Sequence, residues 1–178
     1  MSEEVKVGDS IIRLYQGDIT DLEIESFVYY ATHDLNLGSG FGTAIAIRGG
    51  PTVQQELNEM DPLQTTEAVI SAAGEMKADY IIHAVGPRFQ EEDIESKLEK
   101  TILSALKKAE DKGIKAVAFP AMGAGFYGIP LAVSARVTLT TLKEYLADGA
   151  KIKDVVVCLN DNHEFKPFQS QLAALGNK

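Results

Sequence analysis

The sequence predicts an α/β fold, a three-layer α/β/α sandwich with a central mixed, largely parallel sheet. Three observations carry that prediction. Short apolar runs bounded by turn residues alternate along the chain with amphipathic stretches of helical period. The apolar runs are continuous rather than alternating, as strands covered on both faces require. The 178 residues, 45% of them hydrophobic and 24% charged, suffice for one well-buried core and exclude bulk disorder. A single domain over 1–178 is expected, since no stretch reads as a linker or a repeat.

The strands come first in chain order. Residues 11–15 form a β-rich run ended by Gln16-Gly17-Asp18, and residues 27–31 form another. Residues 68–73 and 80–85 follow, the second stopped by Gly86-Pro87. Residues 117–119 and 155–159 complete the set. Helices are clearer. Ile94, Leu98, Ile102, Ala105, Leu106 and Ala109 recur at helical spacing, with Gly113 placed as the stop. Leu131, Ala135, Leu139, Leu142 and Leu146 form a second stripe, with Pro130 at its first turn. Phe165, Phe168, Leu172 and Leu175 suggest a third helix.

Charge narrows the function classes. Lys plus Arg is 17 and Asp plus Glu is 26, a net charge of −9. Such a chain repels phosphate backbones at long range, so nucleic acid is a disfavoured partner. A small anion can still bind locally on backbone amides and helix N-termini. The one cysteine, Cys158, lies in an apolar run and reads as a buried structural thiol. No apolar run approaches the ~18 residues of a membrane span. The acidic start, Met1-Ser2-Glu3-Glu4-Val5, is unlike a signal peptide, so a cytoplasmic protein is expected.

Three segments at strand-to-helix junctions stand out: Gly17-Asp18-Ile19-Thr20, residues 38–45 and residues 121–130. The second and third share one design, a glycine-rich loop between a strand and a helix. Glycines let successive N–H groups converge, and the helix start adds free donors and partial positive charge. Either loop alone serves equally well as a turn. Both at the same kind of junction favour a phosphate cradle, and a facing pair could grip a diphosphate. No Gly-Lys-Ser/Thr is present, which excludes the nucleoside-triphosphate loop. Gly123, Gly125 and Gly128 match the dinucleotide spacing but follow the fifth strand, not the first. Asp148, at about the right distance downstream, falls in a turn, so a dehydrogenase is set aside. Asp18 could accept a hydrogen bond from an exocyclic amine such as adenine's, or cap the turn that follows.

In order and spacing, Gly17-Asp18-Ile19-Thr20, the 38–45 loop, Ile81-Ile82-His83-Ala84-Val85-Gly86-Pro87 and the 123–130 loop closely resemble a macrodomain, the ADP-ribose-binding module of the Appr-1-p processing family. The resemblance covers roughly residues 11–175. It implies adenine at one end of a crevice, the diphosphate between two loops and the distal ribose deep inside. By that match Asp18 bonds the adenine amine beside Ile19. Gly40, Phe41 and Gly42 line one wall, and Gly123, Ala124, Gly125, Phe126 and Tyr127 the other.

Departures from the family bear on activity. Members commonly read Asn-Ala-Ala-Asn where this chain has Tyr29-Tyr30-Ala31-Thr32, so Thr32 replaces the Asn that contacts the distal ribose. Hydrolytic members often carry an Asp at the position of Gly42. Asn160 stands where many relatives place a stacking aromatic. By this match, Asn at position 32 and Asp at position 42 would introduce activity if the loop backbone suits them. His33 is the one candidate general base. His83 reads as core, and His163 as a solvated helix-start residue. No metal is expected, because the three histidines lack ligand spacing, and no cofactor is implied.

The favoured function is therefore binding of ADP-ribose or of an ADP-ribosylated protein without turnover. The alternative is hydrolysis of ADP-ribosyl esters, O-acetyl-ADP-ribose or ADP-ribose 1''-phosphate. RNA or poly(A) binding, which some relatives show, is opposed by the net charge.

Overall fold

The structure, a computed structural model, describes residues 3–38 and 40–176. Seven strands are present among them: β1 (Glu4–Val7), β2 (Ser10–Gln16), β3 (Ser26–Tyr30), β4 (Ala68–Ala72), β5 (Tyr80–Ala84), β6 (Ala116–Phe119) and β7 (Asp154–Leu159). Five α-helices accompany them: α1 (Phe41–Gly49), α2 (Pro51–Asn58), α3 (Ile94–Lys112), α4 (Leu131–Ala147) and α5 (Asn162–Gly176). Short 3₁₀ turns cover Ile19–Asp21 and Gly125–Tyr127.

All seven strands join one mixed sheet in the order β1-β2-β7-β6-β3-β5-β4. The interior pairings are parallel, with Ile12 opposite Val155, Val156 opposite Ala118 and Tyr29 opposite His83. Both edges are antiparallel, β1 on β2 and β4 on β5. The continuous apolar runs follow from this geometry, because successive side chains point to opposite faces and both faces are covered. Val155, Val157 and Leu159 join a core with Leu98, Ile102 and Leu106 of α3, Leu142 of α4 and Phe168 of α5. Val156 and Cys158 join the other core, with Ile45 of α1 and Val53 and Leu57 of α2. Burying each large side chain fully contributes about 1.5–3 kcal/mol.

Gly113 ends α3 in the left-handed region at φ +81°, as its position after the apolar stripe predicts. Pro130 sits one residue earlier than expected, as the N-cap of α4 rather than in its first turn. Strand β1 and helix α2 are additions to the elements read from the sequence. Among the described residues no helix is long and apolar enough to cross a membrane.

One core group makes stability depend on pH. His83 on β5 is fully buried, with Nε2 2.8 Å from Ser71 Oγ and Nδ1 without a partner among the described residues. Burial pushes its pKa down to about 3. The unfolded chain, with a His pKa near 6.5, therefore binds a proton that the folded chain refuses. Stability is full above that unfolded value and falls as pH drops toward the folded one. Unfolding free energy should fall by about 2 kcal/mol between pH 7 and pH 5 from this group alone. Denaturant titrations of wild type and of folded His83→Gln check this, and an equal pH slope in the two would refute it.

Candidate functional site

The carboxyl ends of β2, β7, β6 and β3, four of the five mutually parallel strands, share one edge of the sheet, where ligands collect in folds of this kind. Their following loops enclose a cleft of about 430 Å³. Ile19 comes from the loop after β2. Thr32, Gly40 and Phe41 come from the loop after β3 and the start of α1. Gly123, Ala124, Gly125, Phe126 and Tyr127 come from the loop after β6, and Asn160 and Glu164 from the end of β7 and the start of α5. Phe27, Val28 and Cys158 contribute apolar surface from the strands beneath.

The two glycine-rich walls owe their shape to backbone that other residues resist. Gly40, the N-cap of α1, has φ +57° and no side-chain cap. Gly123, Gly125 and Gly128 all lie in the left-handed region, at φ +76°, +71° and +79°. A Cβ at Gly123 would overlap the Ile129 side chain, whereas one at Gly125 would meet nothing within 4 Å. Phe126 stands 83% exposed at the rim. Among the described residues the only charged side chain lining the cleft is that of Glu164, whose Oε1 accepts the Asn160 N–H at 2.8 Å. Burial pushes the Cys158 thiol up to about 12, so it is protonated at neutral pH.

Ten of the residues singled out in the sequence come together on this lining: Ile19, Thr32, Gly40, Phe41, Gly123, Ala124, Gly125, Phe126, Tyr127 and Asn160. Asp18 and Gly42 lie beside it. Asp18 caps the turn that carries Ile19, with Oδ1 accepting from Thr20 N at 2.9 Å and Thr20 Oγ1 at 2.6 Å. Its Oδ2 receives Arg48 at 3.2 Å. Desolvation raises the Asp18 pKa, yet the Thr20 bonds and the Arg48 charge together hold it below the usual carboxylate range.

Gly42 is buried in the first turn of α1. A Cβ there would stand 2.7 Å from Tyr29 Oη and 2.9 Å from Leu37 Cα. The expectation that Asp could be introduced at position 42 therefore needs correction: the backbone and the Tyr29 phenol already occupy that space. Burial, with the nearby Tyr127 phenol, raises the Tyr29 pKa to about 12, against the effect of the Gly42 N–H. Tyr30 is also held neutral by burial, and its hydroxyl donates to the Pro87 carbonyl.

His33 lies outside the cleft, on a shallow crevice beside it. Its Nδ1 is 2.8 Å from the Leu63 carbonyl, which only accepts, so Nδ1 carries the proton and Nε2 is the open position. His163 is exposed at the start of α5. Among the described residues no group of three or more His, Cys, Asp or Glu could hold a metal. Sequence reasoning missed Tyr29, Tyr30 and Glu164 on the lining. A signal for Glu164 existed, an acid four residues after Asn160 in the first turn of a helix. For the tyrosines the signal was their place in the Tyr29–Thr32 segment, whose family counterpart reaches the distal ribose.

This fold is an α/β/α sandwich with a cleft at the carboxyl edge of its sheet. The Macro domain family model matches residues 29–138. An uncharacterized protein of Saccharolobus solfataricus is 36% identical over 163 residues, 89% of this chain and 90% of its own. ADP-ribose glycohydrolase MACROD2 of Xenopus laevis is 33% identical over 177 residues, 96% of this chain but 42% of that longer protein. A solved structure of an Oceanobacillus iheyensis macrodomain variant with ADPR superimposes with a TM-score of 0.94 at 26% identity, covering 98% of both chains. The chain belongs to the macrodomain family.

Proposed function

We propose that this chain, as one domain, binds ADP-ribose or mono-ADP-ribosylated groups in the cleft. Adenine lies toward Asp18, Ile19 and Asn160, the diphosphate between the two glycine-rich walls, and the distal ribose toward Thr32 and Tyr127. The observation that carries the reading is the pair of walls itself. Two loops held open by left-handed glycines, one of them starting a helix without a side-chain cap, face each other across one cleft. With no cation on the lining among the described residues, a diphosphate there would rest on backbone N–H groups. The solved relative with ADPR supports the ligand class. Titration of the wild-type chain with ADP-ribose tests the reading as a whole.

Asp18→Ala tests the adenine end. It should weaken ADP-ribose binding by about 1.5–3 kcal/mol, the scale of a charge-assisted hydrogen bond. Asp18→Asn separates this from the lost cap, since Asn caps well but carries no charge. Unchanged affinity in both folded variants would leave Asp18 with the cap alone.

A hydrolytic reading draws on the name of the Xenopus laevis relative. The local chemistry opposes it. The Thr32 hydroxyl donates to Asp34 Oδ1 at 2.7 Å, and Gly42 offers no side chain. An assay for release of ADP-ribose from a modified carboxylate decides between the two.

A further inference from the structure

We propose that the crevice beside the cleft seats the polypeptide that carries the ADP-ribosyl group, with Arg88 receiving a carboxylate from a residue flanking the modified one. The proposal rests on the reading that the cleft takes ADP-ribose with its distal ribose toward Thr32. The crevice, about 570 Å³, is lined by Thr32, His33, Asp34, Asn36, Gly38 and Arg88. Thr32 lines both spaces, so a chain attached at the distal sugar meets the crevice as it leaves the cleft.

The charge of the crevice selects what that chain carries. Three of the four arginines are paired: Arg13 with Asp154, Arg48 with Asp18 and Asp21, Arg136 with Glu95. Arg88 is exposed and has no ion pair among the described residues, in a chain of net charge −9. Its guanidinium lies over aromatic rings, 5.5 Å from the centroid of Phe126 and 5.8 Å from that of Tyr127. Stacking of this kind orients the guanidinium fork and leaves its edge free for a carboxylate. The acids nearby take hydrogen bonds from their own loops. Asp34 Oδ1 accepts from Thr32 Oγ1 and Asn36 N, while Glu91 accepts the Arg88 backbone N–H and pairs with Lys97. Asn36 Oδ1 in turn accepts the Gly38 N–H at 2.7 Å, so bonds between neighbouring residues brace this stretch of loop before any ligand arrives. The exposed Phe126 adds an apolar lip that suits a polypeptide and that a small free anion would not use.

The test compares two peptides of one sequence, each carrying a single ADP-ribosyl group, with Glu or Gln beside the modified residue. Fluorescence anisotropy measures both against wild type, Arg88→Gln and Arg88→Lys, and calorimetry measures free ADP-ribose against the same three. Wild type should bind the Glu peptide roughly three- to five-fold more tightly at low salt, as one exposed pair allows, with less preference at high salt. Arg88→Gln should bind both peptides equally while holding free ADP-ribose within about two-fold of wild type. Arg88→Lys, which keeps the charge but not the fork, should fall between. Equal binding of the two peptides by wild type, or a preference that survives in Arg88→Gln, overturns the proposal while leaving ADP-ribose binding intact. Failure of wild type to bind free ADP-ribose overturns the cleft reading and this proposal together.

Discussion

Gly125→Glu is expected to abolish ADP-ribose binding, a loss of about 100-fold or more, equivalent to ~2.7 kcal/mol. The substitution leaves the core alone, because a Cβ at this position meets nothing within 4 Å. Its cost to the fold is the left-handed backbone at φ +71°, about 1–2 kcal/mol for a residue with a side chain. Its cost to binding is much larger. On the proposed reading a carboxylate is placed on a wall of the cleft where backbone N–H groups and a phosphate would need close contact. Thermal denaturation and calorimetry on one sample separate the two effects. Normal affinity in the folded variant would reduce the 123–128 loop to a turn.

Wild-type protein is expected to leave mono-ADP-ribosylated carboxylates intact, at rates ~10²–10⁴-fold below hydrolytic relatives, the usual contribution of a positioned base. Thr32 can bond a sugar hydroxyl but is too weak a base, and its O–H already donates to Asp34 Oδ1. Restoring the family residues by Thr32→Asn with Gly42→Asp is not expected to help. The new side chain at position 42 would press on Tyr29 Oη and the Leu37 backbone, and overpacking of this kind costs about 1–3 kcal/mol. Adding Tyr29→Asn removes only one of the two conflicts. A melting temperature and a release assay on the double variant check this. Turnover with undiminished stability would show that Tyr29 does not bar position 42. Should wild type itself turn over substrate, loss of that turnover in His33→Ala with affinity kept would name His33 as the base.

The parts of this molecule legible in the sequence are those that local chemistry dictates. Continuous apolar runs such as 155–159 announced doubly covered strands, and Gly113 announced the end of α3. The glycine loops were legible because left-handed backbone at strand-to-helix junctions leaves a mark in residue type. Strand β1 was not, since Glu4-Val5-Lys6-Val7 is a short edge with only Val7 buried, and it gains its identity by pairing Val5 with Ile12. Helix α2 is too short and polar to show a stripe, and its start is marked only by Pro51. The site was legible in outline but not in depth. Gly42 reads as one more loop glycine, and only the fold shows that it is small because Tyr29 from β3 lies over it. Arg88 reads as an ordinary surface charge until the fold sets it over two rings of a loop 38 residues away.

Whether two glycine walls grip a diphosphate joined to two sugars is decided by calorimetric titration of the wild-type chain with ADP-ribose and with adenosine. One saturable site is expected for ADP-ribose, with far weaker binding of adenosine, which lacks the diphosphate and the distal ribose. Equal affinity for the two, or no heat with ADP-ribose from a folded sample, would contradict it.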